Sequence, residues 1–312
     1  MRTANVQAVP GSVAPSFRVP FAVMVAAFCL LWASAYSVAK FAMADCPPLY
    51  LLTVRFLLAG VVVLGAAALF GMPLNLGRRD LLVFATLGIA NQAVFLGLAY
   101  VGMRSISSGL SALVISSNPV LVGVLAALFL GEAMTWRKAA GLLLGVGGVA
   151  FVVSGRLSVG ADHAVGIAFT IAALLSLVSG TILFKRLAPS GGFWVGNGVQ
   201  SLTAGLATLP FAISFESAGD ILPTWRLFGA TAYLVLLVSV FAYVLWFEML
   251  TVSGATAASA YHFLMPPLGM FFGWLLLGEH VALTDLAGIV PVALGIYLVT
   301  RPARTRSQAR CG

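Results

Sequence analysis

Apolar runs of about 20 residues, separated by short polar breaks, recur along almost the whole chain. They cover residues 20–42, 48–70, 81–100, 106–130, 136–154, 164–187, 193–214, 228–250, 255–277 and 283–300. A helix rises 1.5 Å per residue, so a run of this length crosses a hydrocarbon layer about 30 Å thick. The pattern predicts an all-α polytopic membrane protein of ten transmembrane helices. The breaks at 101–105 and 251–254 are the shortest. Fusing either neighbouring pair would give a helix far longer than a bilayer is thick, so both are read as tight hairpins. Residues 1–19 are polar, carry Pro10 and Pro15, and read as a disordered tail. Ala33-Ser34-Ala35 follows an apolar run, as a cleavage site would, but apolar sequence continues to Ala42. The stretch is read as the first spanning helix rather than a signal peptide.

Composition supports lipid as the main solvent. Hydrophobic residues make up 61% of the chain and charged residues 8%, where a soluble domain carries roughly 25% charged residues. The mean hydropathy is +1.06. The net charge of +8 is therefore a topological signal and not a nucleic-acid signal. With the N-terminus cytoplasmic, the inward segments hold twelve basic residues, among them Arg78, Arg79, Arg137, Lys138, Lys185 and Arg186. The outward segments hold three, Arg104, Arg156 and Arg226. The bias predicts a plasma (inner) membrane protein with both termini in the cytoplasm, including the basic tail 301–312. Cys29, Cys46 and Cys311 are too few and too dispersed for a disulfide framework or a metal site.

A long-range duplication organises the ten runs. Pro119, Gly131, Glu132, Gly141 and Gly148 recur as Pro266, Gly278, Glu279, Gly288 and Gly295, each 147 residues later. An offset of 145 pairs Lys40 with Lys185 and Arg55 with Gln200. The halves are 20–154 and 164–300, joined by an external linker at 155–163. Each holds five spans, an odd number, so the two repeats are expected to lie in opposite orientations. Inverted repeats of this kind are a common secondary-transporter architecture.

These residues also carry a resemblance. Leu31-Trp32-Ala33-Ser34, Arg55, Asn118-Pro119 leading to Leu130-Gly131-Glu132, and Pro266 leading to Leu277-Gly278-Glu279 with Gly288 and Gly295 stand in the order and spacing of the EamA-type permeases. Over roughly residues 20–300 the chain resembles that branch of the drug/metabolite transporter superfamily. The resemblance implies a ten-helix fold that moves small metabolites, often outward. The small multidrug pumps of the same superfamily use an acid deep in the first helix, and the first span here has none.

Polar side chains within spans are costly and mark candidate sites. Arg55 lies seven residues into its span, roughly 10 Å deep. It is read either as a cavity cation for an anionic substrate group, or as a residue that reaches the headgroups or pairs with Asp45. Trp32, Tyr36 and Lys40 share one helix face, as an aromatic wall below a cation or as packing with an interface anchor. Asn91 and Gln92 lie mid-span, Ser107, Ser111 and Asn118 share a face, and Asn118-Pro119 suggests a kink. Ser239, Tyr243 and Trp246 form another face, Ser259 and His262 a third. His262 reads as a proton relay or as a neutral, hydrogen-bonded core histidine. Glu248 sits near the cytoplasmic end of its span, as a coupling site or a headgroup-level carboxylate. Glu132 is read as a structural helix-end residue near Arg137 and Lys138. Gly141, Gly145 and Gly148, and Gly269 with Gly273, are read as close-packing positions.

No phosphate loop, nucleophile elbow or metal motif is present, so no catalytic residue, cofactor or metal is expected. The reading is a secondary transporter of a small polar or aromatic metabolite, such as an amino acid or related compound, working by alternating access. Its substrate-binding residues are expected to be Trp32, Tyr36, Arg55, Asn91, Gln92, Asn118, Tyr243, Trp246 and His262. A proton as coupling ion and a homodimeric assembly are both left open. The rival readings are an intramembrane enzyme, which acid–histidine geometry around Glu248 and His262 would favour, and a non-transporting scaffold or sensor, which a dry core would favour.

Overall fold

The computed structural model describes residues 20–102, 104–105, 114–115, 117–154, 164–189, 192–277 and 289–300. Ser107, Ser111, Arg156, Gly278, Glu279, Asp285, Gly288 and both tails lie outside them. The described residues fold into α1 (Phe21–Ala42), α2 (Pro48–Leu69), α3 (Arg78–Gly102), α4 (Asn118–Leu130), α5 (Trp136–Ser154), α6 (Ala164–Leu187), α7 (Phe193–Phe215), α8 (Trp225–Ser253), α9 (255–277) and α10 (Ile289–Thr300). Six of these, α1, α2, α3, α6, α7 and α8, are long and apolar enough to cross a membrane.

Local chemistry explains the helix ends. Pro47-Pro48 starts α2, where a missing N–H costs nothing. Gly131 ends α4 at φ +67°, a left-handed cap that favours glycine. Gly254 alone separates α8 from α9, at φ +82°. Asn118-Pro119 opens α4, where a first-turn proline costs no hydrogen bond; the run before it, on which the expected kink depends, lies largely outside the described residues.

The exterior differs from that of a water-soluble protein. Large apolar side chains such as Val61, Leu128, Leu143, Leu206, Phe211 and Ile213 are exposed. The interior is mostly apolar as well, around Phe28, Phe56, Phe84, Phe95 and Phe247, but Asn91, Gln92, Asn118, Asn197, Gln200, Ser239 and Arg55 are buried within it. An apolar exterior with polar groups kept inside suits lipid and is unstable in water.

The halves meet through equivalent helices, and the contacts are reciprocal. Gly60 leaves room for Leu202, and Gly205 leaves room for Leu57. Shifting 57 and 60 by 145 residues gives 202 and 205, so each contact is the image of the other. Gly198 likewise receives Leu64, and the hydroxyls of Thr53 and Thr208 hydrogen-bond at 3.0 Å. Contacts rise along α2 as they fall along α7, so the two helices run antiparallel. At a second crossing, α5 packs on α10 with Gly141 and Gly145 against Gly295. The ring of Phe263 also rests on Gly145. Gly269, in contrast, faces open space and makes no close approach.

The repetition extends to irregular structure. Residues Ile89–Val94 of α3 and Leu234–Ala242 of α8 are π-helical. Shifted by 147, 89–94 becomes 236–241, inside the second segment. A π-turn carries one surplus residue and frees carbonyls from the helical ladder. Side chains take these up: Ser176 donates to the Ala90 carbonyl at 2.8 Å, and Asn197 donates to those of Ser239 and Val240 at 2.7 and 3.3 Å.

Candidate functional site

Arg55 sits at the seam of the halves, 2% exposed. Its Nε donates to the Ser239 hydroxyl in the π-helical part of α8 at 2.8 Å. The Tyr100 hydroxyl is within hydrogen-bonding reach of the same guanidinium. Asp45 is occupied elsewhere, by Arg226 and Thr224, which overturns the Arg55–Asp45 pairing weighed above. Trp32, Ala35, Tyr36, Arg55, Leu96, Tyr100, Val238 and Tyr243 enclose a cavity of about 20 Å³. That volume holds about one water molecule, so the site is occluded in this conformation.

On one side of this cavity lies a vestibule of about 520 Å³. It is lined by the α1–α2 loop, Arg104 and residues 215–217 and 220, and Tyr100 borders both spaces. Tyr100 is therefore the partition between them. The vestibule rim is tied by Glu216, whose side chain is buried although its helix has ended. It accepts from the Leu49 and Tyr50 backbone N–H groups at 2.9 and 3.0 Å and from Arg104 at 2.7 Å. The carboxylate thus caps α2, whose own N-cap, Pro47, offers no side-chain acceptor. Beside it, burial and the Glu216 charge push the Cys46 thiol up to about 11. Hydrogen bonds from Arg226 and then Thr224 hold Asp45 below the usual carboxylate range.

The opposite end is sealed. Phe28 stacks on Trp246 at 5.5 Å and packs against Trp32 at 5.2 Å, and the His262 ring stands edge-on to Trp246 at 4.8 Å. His262 Nδ1 lies 3.2 Å from the Ser259 carbonyl. No hydrogen bond or ion pair joins Glu248 to His262 among the described residues. Glu132 accepts from the Ala255 N–H at 2.8 Å and from the Thr256 hydroxyl at 2.6 Å. It thereby caps α9 in the other half, so its partners are not Arg137 and Lys138.

Of the residues singled out in the sequence, Trp32, Tyr36, Arg55 and Tyr243 surround the cavity. Asn91 touches the site through its backbone, whose carbonyl accepts from the Tyr243 hydroxyl at 3.3 Å. Trp246 and His262 belong to the sealing cluster, one layer removed. Gln92 and Asn118 are fully buried but do not line the cavity, and neither amide has a protein partner. Tyr100 was missed, because a tyrosine near a span end looks like an interface anchor. Its place 45 residues after Arg55 gives no periodic hint of their meeting.

An apolar bundle with a buried cation, three tyrosines and an antechamber defines a helical membrane protein of the transporter class. The chain matches the EamA-like transporter family over residues 20–154 and again over 164–301, and it belongs to that family. It is 25% identical to the uncharacterized transporter YvbV of Bacillus subtilis, over 93% of this chain and 95% of that one. It is 28% identical to an uncharacterized transporter of Archaeoglobus fulgidus, over 86% and 95%. Identity to an S-adenosylmethionine/S-adenosylhomocysteine transporter of Chlamydia trachomatis is 27%, over 86% and 85%. A solved structure titled "Crystal structure of protein" shares the fold, with a TM-score of 0.76 at 17% identity, covering 90% of this chain and 97% of that one.

Proposed function

We propose that this protein is a secondary transporter of ten transmembrane helices, moving a small metabolite with an anionic group by alternating access. The observation that carries the reading is Arg55: a cation buried at the seam of two halves, one side chain away from a 520 Å³ vestibule. Among the described residues Arg55 has no carboxylate partner, and a buried charge so placed is expensive and is retained where an anion visits. Tyr36, Tyr100 and Tyr243 add hydroxyls, and Trp32 a flat apolar wall, which suits an amino acid or a related compound. The cargo named for the Chlamydia relative, which carries an amino-acid carboxylate, fits the same chemistry.

The antiparallel contacts of α2 with α7 and α5 with α10 support halves of opposite orientation. The basic residues Arg78, Arg79, Arg137, Lys138, Lys185 and Arg186 cluster at the Glu132 end, which makes that end cytoplasmic and the vestibule external. The outward vestibule is one state of the cycle; export is the direction that the likeness to the EamA-type permeases implies. Purified protein in liposomes should accelerate flux of at least one member of a panel of amino acids and their derivatives. Inert liposomes across the panel would overturn the reading. Tags at Glu132 and Glu279 should be reached from opposite faces; access to both from one face would overturn the inverted arrangement.

A non-transporting scaffold or sensor draws on one observation, the small volume of the Arg55 cavity. The same flux measurement decides between the two.

A further inference from the structure

We propose a second, latent binding pocket at the image of the Arg55 cavity, formed by Asn91, Gly180, Thr181 and Gln200 and closed by Phe247. It would take neutral hydrogen-bonding groups such as amides, hydroxyls or uncharged amines. The inference rests on the reading of the Arg55 cavity as the transport site and deepens it.

The first support is the repeat. Shifting Ala35, Tyr36 and Arg55 by 145 residues gives Gly180, Thr181 and Gln200. Shifting Tyr100 by 147 gives Phe247, and shifting Val238 back by 147 gives Asn91. One pair of images keeps company as its originals do: Ala35 and Val238 line the Arg55 cavity together, and Asn91 packs directly on Gly180, where a Cβ would lie 1.9 Å from its side-chain oxygen. Tyr100 borders the open vestibule. Phe247 instead stacks on Phe184 at 4.8 Å and lies 6.2 Å from Phe193, so this end is plugged.

The second support is independent of symmetry. Gln200 and Gln92 are fully buried, and neither amide has a protein partner at either polar atom. The Asn91 side-chain oxygen and the Ser201 hydroxyl are in the same condition. Gly88, just before the π-segment, packs its backbone on that of Gln200. Buried amides without partners are a standing cost, and native interiors rarely keep several together without a use. Exchange of conformations between the halves would open this region toward the Glu132 end, as the Arg55 region now borders the Glu216 end. Arg55 maps to the neutral Gln200, so the two pockets differ in charge. A substrate anion is held on one side only, while its neutral polar groups are read on the other.

The test uses the full chain with Cys29, Cys46 and Cys311 replaced by serine, in vesicles of both orientations. The probe is the membrane-impermeant thiol reagent methanethiosulfonate ethyltrimethylammonium. T181C should react from the Glu132 face at least about tenfold faster than from the other, and Y36C from the Glu216 face. F247A should speed the T181C reaction further. T181C inert from the Glu132 face, even with F247A, while Y36C reacts, would overturn the latent pocket and leave the Arg55 site standing. Both positions inert from both faces would overturn the transport reading too. Should T181C fail to fold, Q200L decides. It should raise Tm by about 2–4 °C, because an unpartnered amide is removed. A comparable fall would mean that the amide is held by fixed structural partners, and the pocket would be abandoned.

Discussion

Arg55 and Ser239 are joined at 2.8 Å across the boundary of the two halves, a link between α2 and the π-helical part of α8. A hydrogen bond to a charged group contributes about 1.5–3 kcal/mol. S239A should therefore weaken substrate binding or occlusion by roughly 10–100-fold while the protein still folds. R55A should abolish flux of the anionic substrate, and R55K should restore little, because a point charge cannot reproduce the directed Nε contact. Flux in liposomes, with monodispersity as the fold check, measures both.

Tyr100 stands between a space of about 520 Å³ and one of about 20 Å³. Y100A should merge them. A cysteine at position 36 should then react with an impermeant thiol reagent from the Glu216 face at least about tenfold faster than with Tyr100 in place. Y100F should keep the barrier but loosen its tie to Arg55, giving a smaller change.

Glu132 serves α9 as a cap supplied from the opposite half. Loss of a helix cap costs about 1 kcal/mol. E132A should lower Tm by about 2–4 °C in detergent. T256A, which removes one of the three contacts, should lower it by less. Scanning fluorimetry of the purified variants is sufficient.

Asp45 is held below the usual carboxylate range by Arg226 and Thr224. A depressed carboxylate stabilises the fold above its unfolded-state pKa of about 3.9 and loses that contribution as pH falls through the lower folded value. At neutral pH D45N should melt below the native protein. The gap should close as pH drops below about 3.9, and disappear once the native Asp45 is protonated. A gap that persists in strong acid would assign the difference to packing.

Gly60 has no room for a side chain: a Cβ would lie 2.5 Å from Leu202 Cγ and 2.8 Å from the Leu202 backbone nitrogen. G60A should cost about 1–3 kcal/mol through overpacking. Adding L202A relieves the side-chain clash and leaves the backbone one, so the double variant should recover only part of the lost Tm.

The sequence carried the helices well because lipid imposes one simple rule on length and polarity. The expected 136–154, 164–187 and 255–277 coincide with α5, α6 and α9. The fourth run begins its continuous described helix at Asn118, since Pro119 suits a first turn. Side-chain partners were harder to read. Trp32, Tyr36, Arg55 and Tyr243 stood out as polar or aromatic groups sharing a face, and they do converge. Glu216 and Tyr100 sit at helix ends, where polarity is ordinary, so nothing marked them. Glu132 was legible as structural, but its partner was not, because Thr256 lies 124 residues away in the other half. The π-segments left no periodic trace: a single surplus residue in a mostly apolar span does not change its hydropathy pattern.

That surplus residue is absorbed where it stands. Added to a regular α-helix, one residue would turn everything beyond it through about 100°; held as a π-turn, it leaves the aim of the flanking turns unchanged. Deleting one residue within 89–94 should therefore let α3 close its ladder with Tyr100 still between antechamber and cation, while the Ala90 carbonyl returns to the helix and Ser176 loses its acceptor. What the extra residue supplies is a set of free carbonyls for the neighbouring helices, not the direction of the barrier.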